Sequence, residues 1–169
     1  RGIATIYQDL ALVPRLPVWQ NLFLGAELTR ATPLPGLRLL DKAAMRRQTR
    51  LLLGTLGIGV PDVDAWVEDL SGGQRQALAI ARALRAEARL LVMDEPTAAL
   101  GVRETEEVLT LVRRLKAQGV AVLLVSHAMQ DVIAVCDRVV ILKRGRVAAT
   151  RPVEALDADG LAHLVLTAA

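Results

Sequence analysis

The feature that most constrains the fold is a short apolar stretch that ends in two acids and a proline. Residues 89–93 read Arg-Leu-Leu-Val-Met, and Asp94, Glu95 and Pro96 follow directly. An unbroken apolar run of this length predicts a strand buried on both faces. Proline cannot extend the strand, so both carboxylates lie just past its carboxyl end, where open α/β sheets bind their ligands. Taken alone, the acid pair is explained equally well as a solvent-exposed strand end.

A helix with an unusual first turn precedes this strand. Residues 70–76 read Leu-Ser-Gly-Gly-Gln-Arg-Gln, in which Ser71 and Gln74 form a capping box that many helices use for stability alone. Capping does not require the two glycines between them, and Gly72 and Gly73 each cost about 1 kcal/mol relative to alanine in a helix. They leave backbone amides without side chains at the positive end of the helix dipole, which favours an anion such as phosphate. An apolar stripe then predicts packing on a core, through Ala77, Ile80, Ala81 and Leu84.

These two stretches together resemble the ATP-binding cassette (ABC) ATPases. Residues 70–74 are similar to the signature motif of that family, and residues 91–97 are similar to its Walker B motif with the glutamate that follows. Either motif alone is a moderate signal, whereas both in this order and at this separation are a strong one. The resemblance implies an α/β fold that is part of a P-loop NTPase of ABC type, with a mostly parallel sheet flanked by helices and a helical subdomain.

Composition limits the remaining classes of protein. The chain has 169 residues, enough for one domain with a core, and 53% of them are hydrophobic against 2% aromatic. No apolar run approaches the ~20 residues of a spanning helix and no signal peptide is visible, so we expect a soluble or peripheral protein. A net charge of +3 without a basic run interleaved with aromatics argues against a nucleic-acid partner. The single cysteine, Cys136, predicts a core-filling thiol in a reducing compartment.

Polar residues follow two other apolar strands. Gln8 comes after residues 3–7, and His127 comes after residues 120–125. Because strands alternate with helices along the chain, the sequence predicts a parallel sheet, and Gln8, His127 and the acid pair meet at its carboxyl edge. Singly, a glutamine at a strand end is usually a loop residue, and a lone histidine is more often a packing or surface residue than a catalytic one.

The resemblance assigns these residues to ATP hydrolysis with Mg²⁺. It implies that Asp94 reaches Mg²⁺ mostly through water and that Glu95 orients or deprotonates the attacking water. Gln8 is similar to the Q-loop glutamine, which approaches the metal and the water. His127 is similar to the switch histidine, which hydrogen-bonds the γ-phosphate and holds Glu95 in register. The implied catalytic residues are Glu95, His127 and Gln8. The residues implied to bind the metal are Asp94 and Gln8. The residues implied to contact ATP held by a second cassette are Ser71, Gly72, Gly73 and Gln74.

The chain holds no phosphate-binding loop of the Gly-x-x-x-x-Gly-Lys-Ser/Thr type, because none of its glycines is followed by lysine. In the ABC family this Walker A loop lies upstream of the Q-loop, and the chain begins with Arg1 inside its first strand. We therefore expect an N-terminally truncated cassette. Such a piece alone should not hydrolyse ATP and should bind it poorly, because that loop supplies most phosphate contacts.

The resemblance also divides the chain into parts. These are a helical subdomain with the signature motif at about residues 9–85, a catalytic α/β core at 1–8 and 86–150, and a C-terminal tail at 151–169. No sustained heptads lie between Gln8 and Ser71, which excludes a long coiled-coil insertion.

Local signals place several further elements. Proline and glycine in residues 32–36 predict a turn, and Asp41 is the predicted N-cap of a helix that stops at Gly57. A second helix, with Glu104 in its early part, is predicted to stop at Gly119. Residues 138–149 predict a strand pair with a tight turn, and the tail predicts a helix.

The stretch after the acid pair points to a class of substrate. Residues 98–101 read Ala-Ala-Leu-Gly where the family usually has Ser-Ala-Leu-Asp, so Gly101 removes a carboxylate from a loop at the cassette dimer interface. Residues 97–104 are nevertheless similar to the ATPases of monosaccharide importers. The resemblance implies an ATP-hydrolysing importer subunit for simple sugars, peripheral on the cytoplasmic face of the cell membrane. Its implied partners are a second cassette, transmembrane permease subunits and, indirectly, a solute-binding protein.

Two other functions stay open at this point. The parent protein could be a soluble ABC-type ATPase that acts on ribosomes or DNA, although the missing coiled-coil insertion and the modest charge count against this. The chain could also be a non-catalytic interaction fragment. Intact Glu95, Gln8 and His127 argue against that for the parent but not for this chain.

Overall fold

The computed structural model describes residues 2–34 and 36–168 of the chain. In chain order its elements are β1 (Ile3–Ile6), α1 (Val18–Phe23), β2 (Thr29–Ala31), β3 (Arg38–Leu40), α2 (Lys42–Leu56), α3 (Gly72–Arg85), β4 (Leu90–Asp94), α4 (Val102–Ala117), β5 (Ala121–Val125), α5 (Met129–Val135), β6 (Arg138–Lys143), β7 (Arg146–Pro152) and α6 (Ala158–Thr167). Short 3₁₀ turns at Val67–Asp69 and Val153–Ala155 precede α3 and α6.

Three parallel strands form the central sheet, in the order β1-β4-β5. The register aligns Ile6 with Met93 and Met93 with Leu124, so the three strands end at the same level. Leu91 and Met93 of the middle strand are fully buried, whereas Leu90 and Val92 on its other face are only half-buried. The strand predicted from the apolar run is confirmed, but the predicted full burial of both of its faces is not. The predicted parallel sheet is confirmed as well.

The helices that flank this sheet share one hydrophobic core with it. Helix α3 buries Leu78, Ile80 and Ala81, whereas Ala77 and Leu84 of the predicted stripe are only half-buried. Helix α4 buries its apolar face in the same core, through Val108, Leu111, Val112 and Leu115. Helix α4 therefore packs through a stripe with the helical period. The stripe predicted for α3 is confirmed only in part, because the helix also buries Leu78 and Ala79 between other elements and leaves Ala77 and Leu84 partly exposed.

Helix α2 begins and ends where local chemistry predicted. The Asp41 carboxylate accepts a hydrogen bond from the Ala44 amide at 2.9 Å, which caps the first turn. Gly57 ends the helix in the left-handed region at φ +64°, a conformation that glycine adopts at little cost. The Arg114 guanidinium lies over Gly57, so a Cβ added there would be 1.8 Å from its Nη1 atom.

Two antiparallel strand pairs lie outside the central sheet. The pair of β6 and β7 was predicted, whereas β2 and β3 are strands in a region where only the turn was predicted. Each of these two strands has three residues, too short for an alternating pattern to be visible in the sequence. Pro35 of the predicted turn lies outside the described residues.

A smaller second core joins the β6–β7 pair to α5 and α6. Its buried members are Val132, Val139, Ile141, Val153 and Leu161. Helix α6 confirms the helix predicted in the tail. Among the described residues, no helix has the length and apolarity needed to cross a bilayer.

Candidate functional site

The carboxyl edge of the central sheet carries the polar residues that the sequence singled out there. Asp94 is the last residue of β4, Gln8 lies two residues beyond β1, and His127 lies two residues beyond β5. Gln8 and His127 are exposed, and Asp94 and Glu95 are half-buried. The register alone places these groups on one edge, because all three strands run in the same direction.

Glu95 and His127 are in direct contact across this edge. The Nδ1 atom of His127 lies 2.7 Å from Oε1 of Glu95, and the Glu95 amide donates to the Val125 carbonyl at 2.9 Å. The Glu95 side chain is 23% exposed and that of His127 is 80% exposed. The hydrogen bond with Glu95, together with its negative charge, raises the pKa of His127 above its ordinary value.

Glu95 has a constrained backbone. Its φ is +50°, in the left-handed region that non-glycine residues seldom occupy, and such residues concentrate at functional sites. The turn that follows is held in place by Thr97, whose hydroxyl donates to Oδ2 of Asp131 in α5 at 2.6 Å. No local sequence pattern points to Asp131, because 34 residues separate it from Thr97.

The carboxylates of this edge fit a Mg²⁺ ion that is only partly held by protein. Among residues 2–34 and 36–168 there is no group of three or more histidine, cysteine, aspartate or glutamate side chains that could hold a metal ion. Mg²⁺ does not need such a cage, because it keeps several waters and binds one or two carboxylates together with substrate phosphates. Asp94, half-buried at the end of β4, provides one such carboxylate.

The first turn of α3 contains the predicted capping box. The Gln74 amide donates to Oγ of Ser71 at 3.3 Å, and the Ser71 amide donates to Oε1 of Gln74 at 3.0 Å. The Gln74 side chain also donates from Nε2 to the Gly59 carbonyl at 3.0 Å. Both polar side chains of this turn are therefore engaged within the chain.

The Gly73 amide is not bare, contrary to the expectation of free amides in this turn. It donates to Oε1 of Glu104 at 3.2 Å, and the Gly101 amide donates to Oε2 of the same carboxylate at 3.2 Å. Hydrogen bonds from Gly73, from the Ser71 hydroxyl and from Gly101, in decreasing order, lower the pKa of Glu104. From the sequence, Glu104 was predicted only to lie in the early part of α4. The signal that could have found it is its position three residues after Gly101, from which a glutamate reaches back to the N-cap amide.

Close packing against α4 is a second reason for the two glycines. A Cβ added at Gly72 would lie 2.8 Å from Cδ2 of Leu100, and one added at Gly73 would lie 3.1 Å from Cβ of Glu104. Gly73 is buried and Gly72 is half-buried. The signature-like turn, residues 71–74, therefore lies against the start of α4, whereas Glu95 and His127 lie at the edge of the sheet.

The loop after Gln8 is held from two sides. The first clamp is Asn21 of α1, whose side chain is fully buried. Its Oδ1 accepts a hydrogen bond from the Val13 amide at 2.8 Å. Its Nδ2 donates hydrogen bonds to the carbonyls of Val13 and Leu16, at 3.0 Å each. A second clamp comes from α3, where Arg82 donates to the carbonyls of Leu10 and Ala11 at 2.7 Å each.

Burial lowers the pKa of the Arg82 guanidinium. No sequence pattern points to Asn21 or Arg82, because each side chain bonds to backbone atoms, which any residue carries; Arg82 is also 71 and 72 residues from its two partners. Arg82 lies on the helix that begins with the signature-like turn. The loop after Gln8 and the signature-like helix are therefore mechanically connected.

Comparison with known proteins identifies a family. The family model described as ABC transporter matches residues 1–98. The chain is 47% identical over 146 residues to the xylose/arabinose import ATP-binding protein XylG of Sulfolobus acidocaldarius, covering 86% of this chain and 56% of that protein. It is 44% identical over 151 residues to the fructose import ATP-binding protein FrcA of Rhizobium meliloti, with the same two coverages of 86% and 56%.

Another relative is matched over a smaller part of its own length. The ribose import ATP-binding protein RbsA of Chromobacterium violaceum is 42% identical over 165 residues, which are 98% of this chain and 32% of that protein. The chain thus spans between about a third and about half of the length of these relatives.

Solved structures show the same fold. The structure of cbiO1 from Clostridium perfringens, part of the ABC transporter complex cbiONQ, matches 98% of this chain and 61% of its own, with a TM-score of 0.72 and 26% identity. A dimeric ATP-binding cassette bound to ADP and Pi, MJ0796, covers 92% of this chain with a TM-score of 0.68 and 24% identity, and 64% of its own length is matched. The fold class predicted from the sequence is confirmed.

Proposed function

This chain belongs to the ABC transporter family, and from that premise we propose that its full-length protein is the ATP-binding and ATP-hydrolysing subunit of an importer. The observation that carries the proposal is the 2.7 Å contact between Glu95 and His127 at the carboxyl edge of the sheet. A carboxylate and an imidazole held together at such an edge can position and deprotonate a water molecule.

Glu95 is the proposed general base. The contact of His127 with Oε1 holds the carboxylate in one orientation and leaves Oε2 to accept the proton of the attacking water. The hydrogen bond from the Glu95 amide to the Val125 carbonyl and the Thr97–Asp131 hydrogen bond hold its backbone at a φ of +50°. The carboxylate therefore needs little reorganisation before the reaction, which is what a positioned base requires.

His127 is the proposed contact to the γ-phosphate. Its Nδ1 faces Glu95, so the rest of the ring, 80% exposed as a side chain, is free to face a ligand. A neutral ring that donates from Nδ1 has only an acceptor at Nε2, whereas the protonated ring donates from both nitrogens. The raised pKa favours the protonated form, which can hold Glu95 and a phosphate oxygen at the same time.

The remaining proposed contacts divide between metal and nucleotide. Asp94 and Gln8 would hold Mg²⁺, which balances negative charge on the phosphates. Ser71, Gly72, Gly73 and Gln74 would contact the γ-phosphate of ATP bound by a second cassette. Because the Gly73 amide donates to Glu104, that amide must exchange its partner before it can donate to phosphate.

We place this turn in a helical subdomain at about residues 9–85 and the acid pair in an α/β core formed by 1–8 and 86–150, followed by a tail at 151–169.

The proposed cargo is a simple sugar. The relatives described above are named as import proteins for xylose and arabinose, fructose and ribose.

Proposed partners are a second cassette and transmembrane permease subunits, with the protein peripheral on the cytoplasmic face of the membrane. Uptake of labelled xylose, ribose and fructose by cells lacking the gene tests the cargo. Unchanged uptake of all three, or capture of ribosomes in place of a permease, would refute this assignment.

The ATPase proposal is tested by Glu95→Gln in the full-length protein. We expect ATP binding to persist and the turnover rate to fall by at least a hundredfold, the scale of losing a general base. Glu154→Gln is the matched control, because Glu154 is exposed on the 3₁₀ turn before α6, and it should leave turnover unchanged. Near-normal turnover in Glu95→Gln would remove Glu95 from the mechanism.

A further inference from the structure

One surface of the chain combines positive charge with exposed leucines. It comprises the β2–β3 hairpin and the adjoining exposed side of α2, and we name it the basic hairpin surface. It is defined by Arg30, Leu34, Leu37, Leu39, Lys42 and Arg47. These residues take no part in the site at the sheet edge or in the signature-like turn.

Positive charge is concentrated in this part of the chain. Residues 28–57 contain six basic residues and one acidic residue, a net charge of +5, whereas the whole chain carries +3, so the rest is net negative. Arg46 is turned away, because it pairs with Asp64 at 2.6 Å and lies over the Trp19 ring. Arg30, Lys42 and Arg47 are exposed and line one open cleft of about 840 Å³.

The leucines of this surface have no core to pack on. Leu34 is 64% exposed, and Leu37 and Leu39 are each 47% exposed. All six residues of strands β2 and β3 are exposed, so neither face of the hairpin is buried by the described part of the chain. A two-stranded hairpin without a packed face is at best marginally stable in water. A surface that covers the leucines would stabilise it.

We propose that the basic hairpin surface docks on an anionic lipid bilayer. Leucine side chains enter the boundary between headgroups and acyl chains, while arginine and lysine remain at the level of the anionic headgroups. A nucleic acid is also anionic, but single strands are bound by stacking on aromatic side chains, and residues 24–65 contain no phenylalanine, tyrosine or tryptophan. A duplex is bound mainly through its phosphates, which gives the exposed leucines no role. The docking does not depend on the ATPase proposal and can fail without affecting it.

The direct test is vesicle flotation with the 169-residue chain. We expect it to float with vesicles that contain phosphatidylglycerol and phosphatidylcholine, and not with vesicles of phosphatidylcholine alone. Binding should weaken as sodium chloride rises from 50 to 500 mM, because salt screens the attraction between exposed charges. Equal binding to both kinds of vesicle, or no binding to either, would overturn the proposal. No binding to either is also the result expected if a protein partner covers the hairpin.

Matched variants locate the contact on the surface. Lys42→Glu with Arg47→Glu should reduce the partition coefficient for anionic vesicles at least tenfold, since each basic residue near such a surface strengthens binding about fivefold. Arg144→Glu with Arg146→Glu changes the net charge by the same amount on an exposed turn between β6 and β7. This control should bind within twofold of the unmodified chain. An equal loss in both double variants would overturn the assignment to the hairpin.

A third variant reports contact without depending on charge reversal. Leu37→Trp places a fluorophore at an exposed position of the hairpin turn. Its emission, after subtraction of the signal from Trp19 and Trp66, should shift to the blue on addition of anionic vesicles and should not shift with neutral ones. No shift under conditions where the chain floats would show that another surface binds the lipid.

Discussion

Replacing Asn21 with alanine should destabilise the chain more than any substitution on its surface. The buried Asn21 side chain makes three hydrogen bonds to the backbone of residues 13 and 16, at 2.8, 3.0 and 3.0 Å. Alanine leaves one amide and two carbonyls of that loop without these partners. At about 1 kcal/mol net for each hydrogen bond, the free energy of unfolding should fall by about 2–3 kcal/mol.

Urea unfolding followed by tryptophan fluorescence measures this change. Trp19 is a suitable reporter, because it is buried two residues from Asn21 and its Nε1 donates to Asp64 at 2.9 Å. The expected loss corresponds to a fall in Tm of roughly 4–12 °C for a chain of this size. Gln48→Ala is the matched control: it removes an exposed side-chain amide from α2 and should change stability by less than about 0.5 kcal/mol.

Asn21→Asp separates the donors from the acceptor. Aspartate keeps an oxygen for the Val13 amide but loses both N–H donors, and it places a carboxylate next to the carbonyls of Val13 and Leu16. We expect a loss at neutral pH at least as large as that of Asn21→Ala, because a buried charge without a donor is costly. If Asn21→Ala costs less than about 0.5 kcal/mol, the side chain is not what holds this loop and the reasoning is wrong.

Two further predictions concern the site and the nucleotide. The pKa of His127 is raised by Glu95 above its ordinary value of 6.5, and in Glu95→Gln it should return toward that value. Titration of the ring protons by NMR measures this change. An unchanged pKa would mean that the contact does not form in solution. Because the folded pKa is the higher one, the stabilisation from this pair is fully present below the unfolded pKa and is lost as pH rises through the folded value. The 169-residue chain alone should bind ATP only weakly, because it contains no Gly-x-x-x-x-Gly-Lys-Ser/Thr loop; micromolar binding in calorimetry would contradict this.

Local signals were sufficient for most of the framework. The α2 boundaries follow from Asp41 and Gly57, and the first turn of α3 follows from the pairing of Ser71 with Gln74. Each of these signals acts over a few residues, through a cap or a turn whose geometry depends on nearby chemistry. The common edge for Gln8, Asp94, Glu95 and His127 also follows from the sequence, because parallel strands end on the same side.

Hydrogen bonds between distant residues could not be predicted in this way. Glu104 reaches Gly73 across 31 residues, and Arg82 reaches Leu10 across 72. A glutamate in the first turn of α4 and an arginine in α3 are each explained by their own helix, so no local pattern reveals the distant partner of either one. Their partners are backbone groups, which carry no side-chain identity that the sequence could reveal.

The sequence by itself determined the family, the parallel strands of the central sheet, the helices α2, α3 and α4, and the chemistry available at the ends of the strands, but not β2, β3 or α5. Only the tertiary structure decided how that chemistry is arranged: Glu95 against His127, the Gly73 amide against Glu104, and two clamps on the loop after Gln8. The physical reason is that caps, turns and apolar periodicity act within one element, whereas these contacts form only after separate elements have packed on a common core.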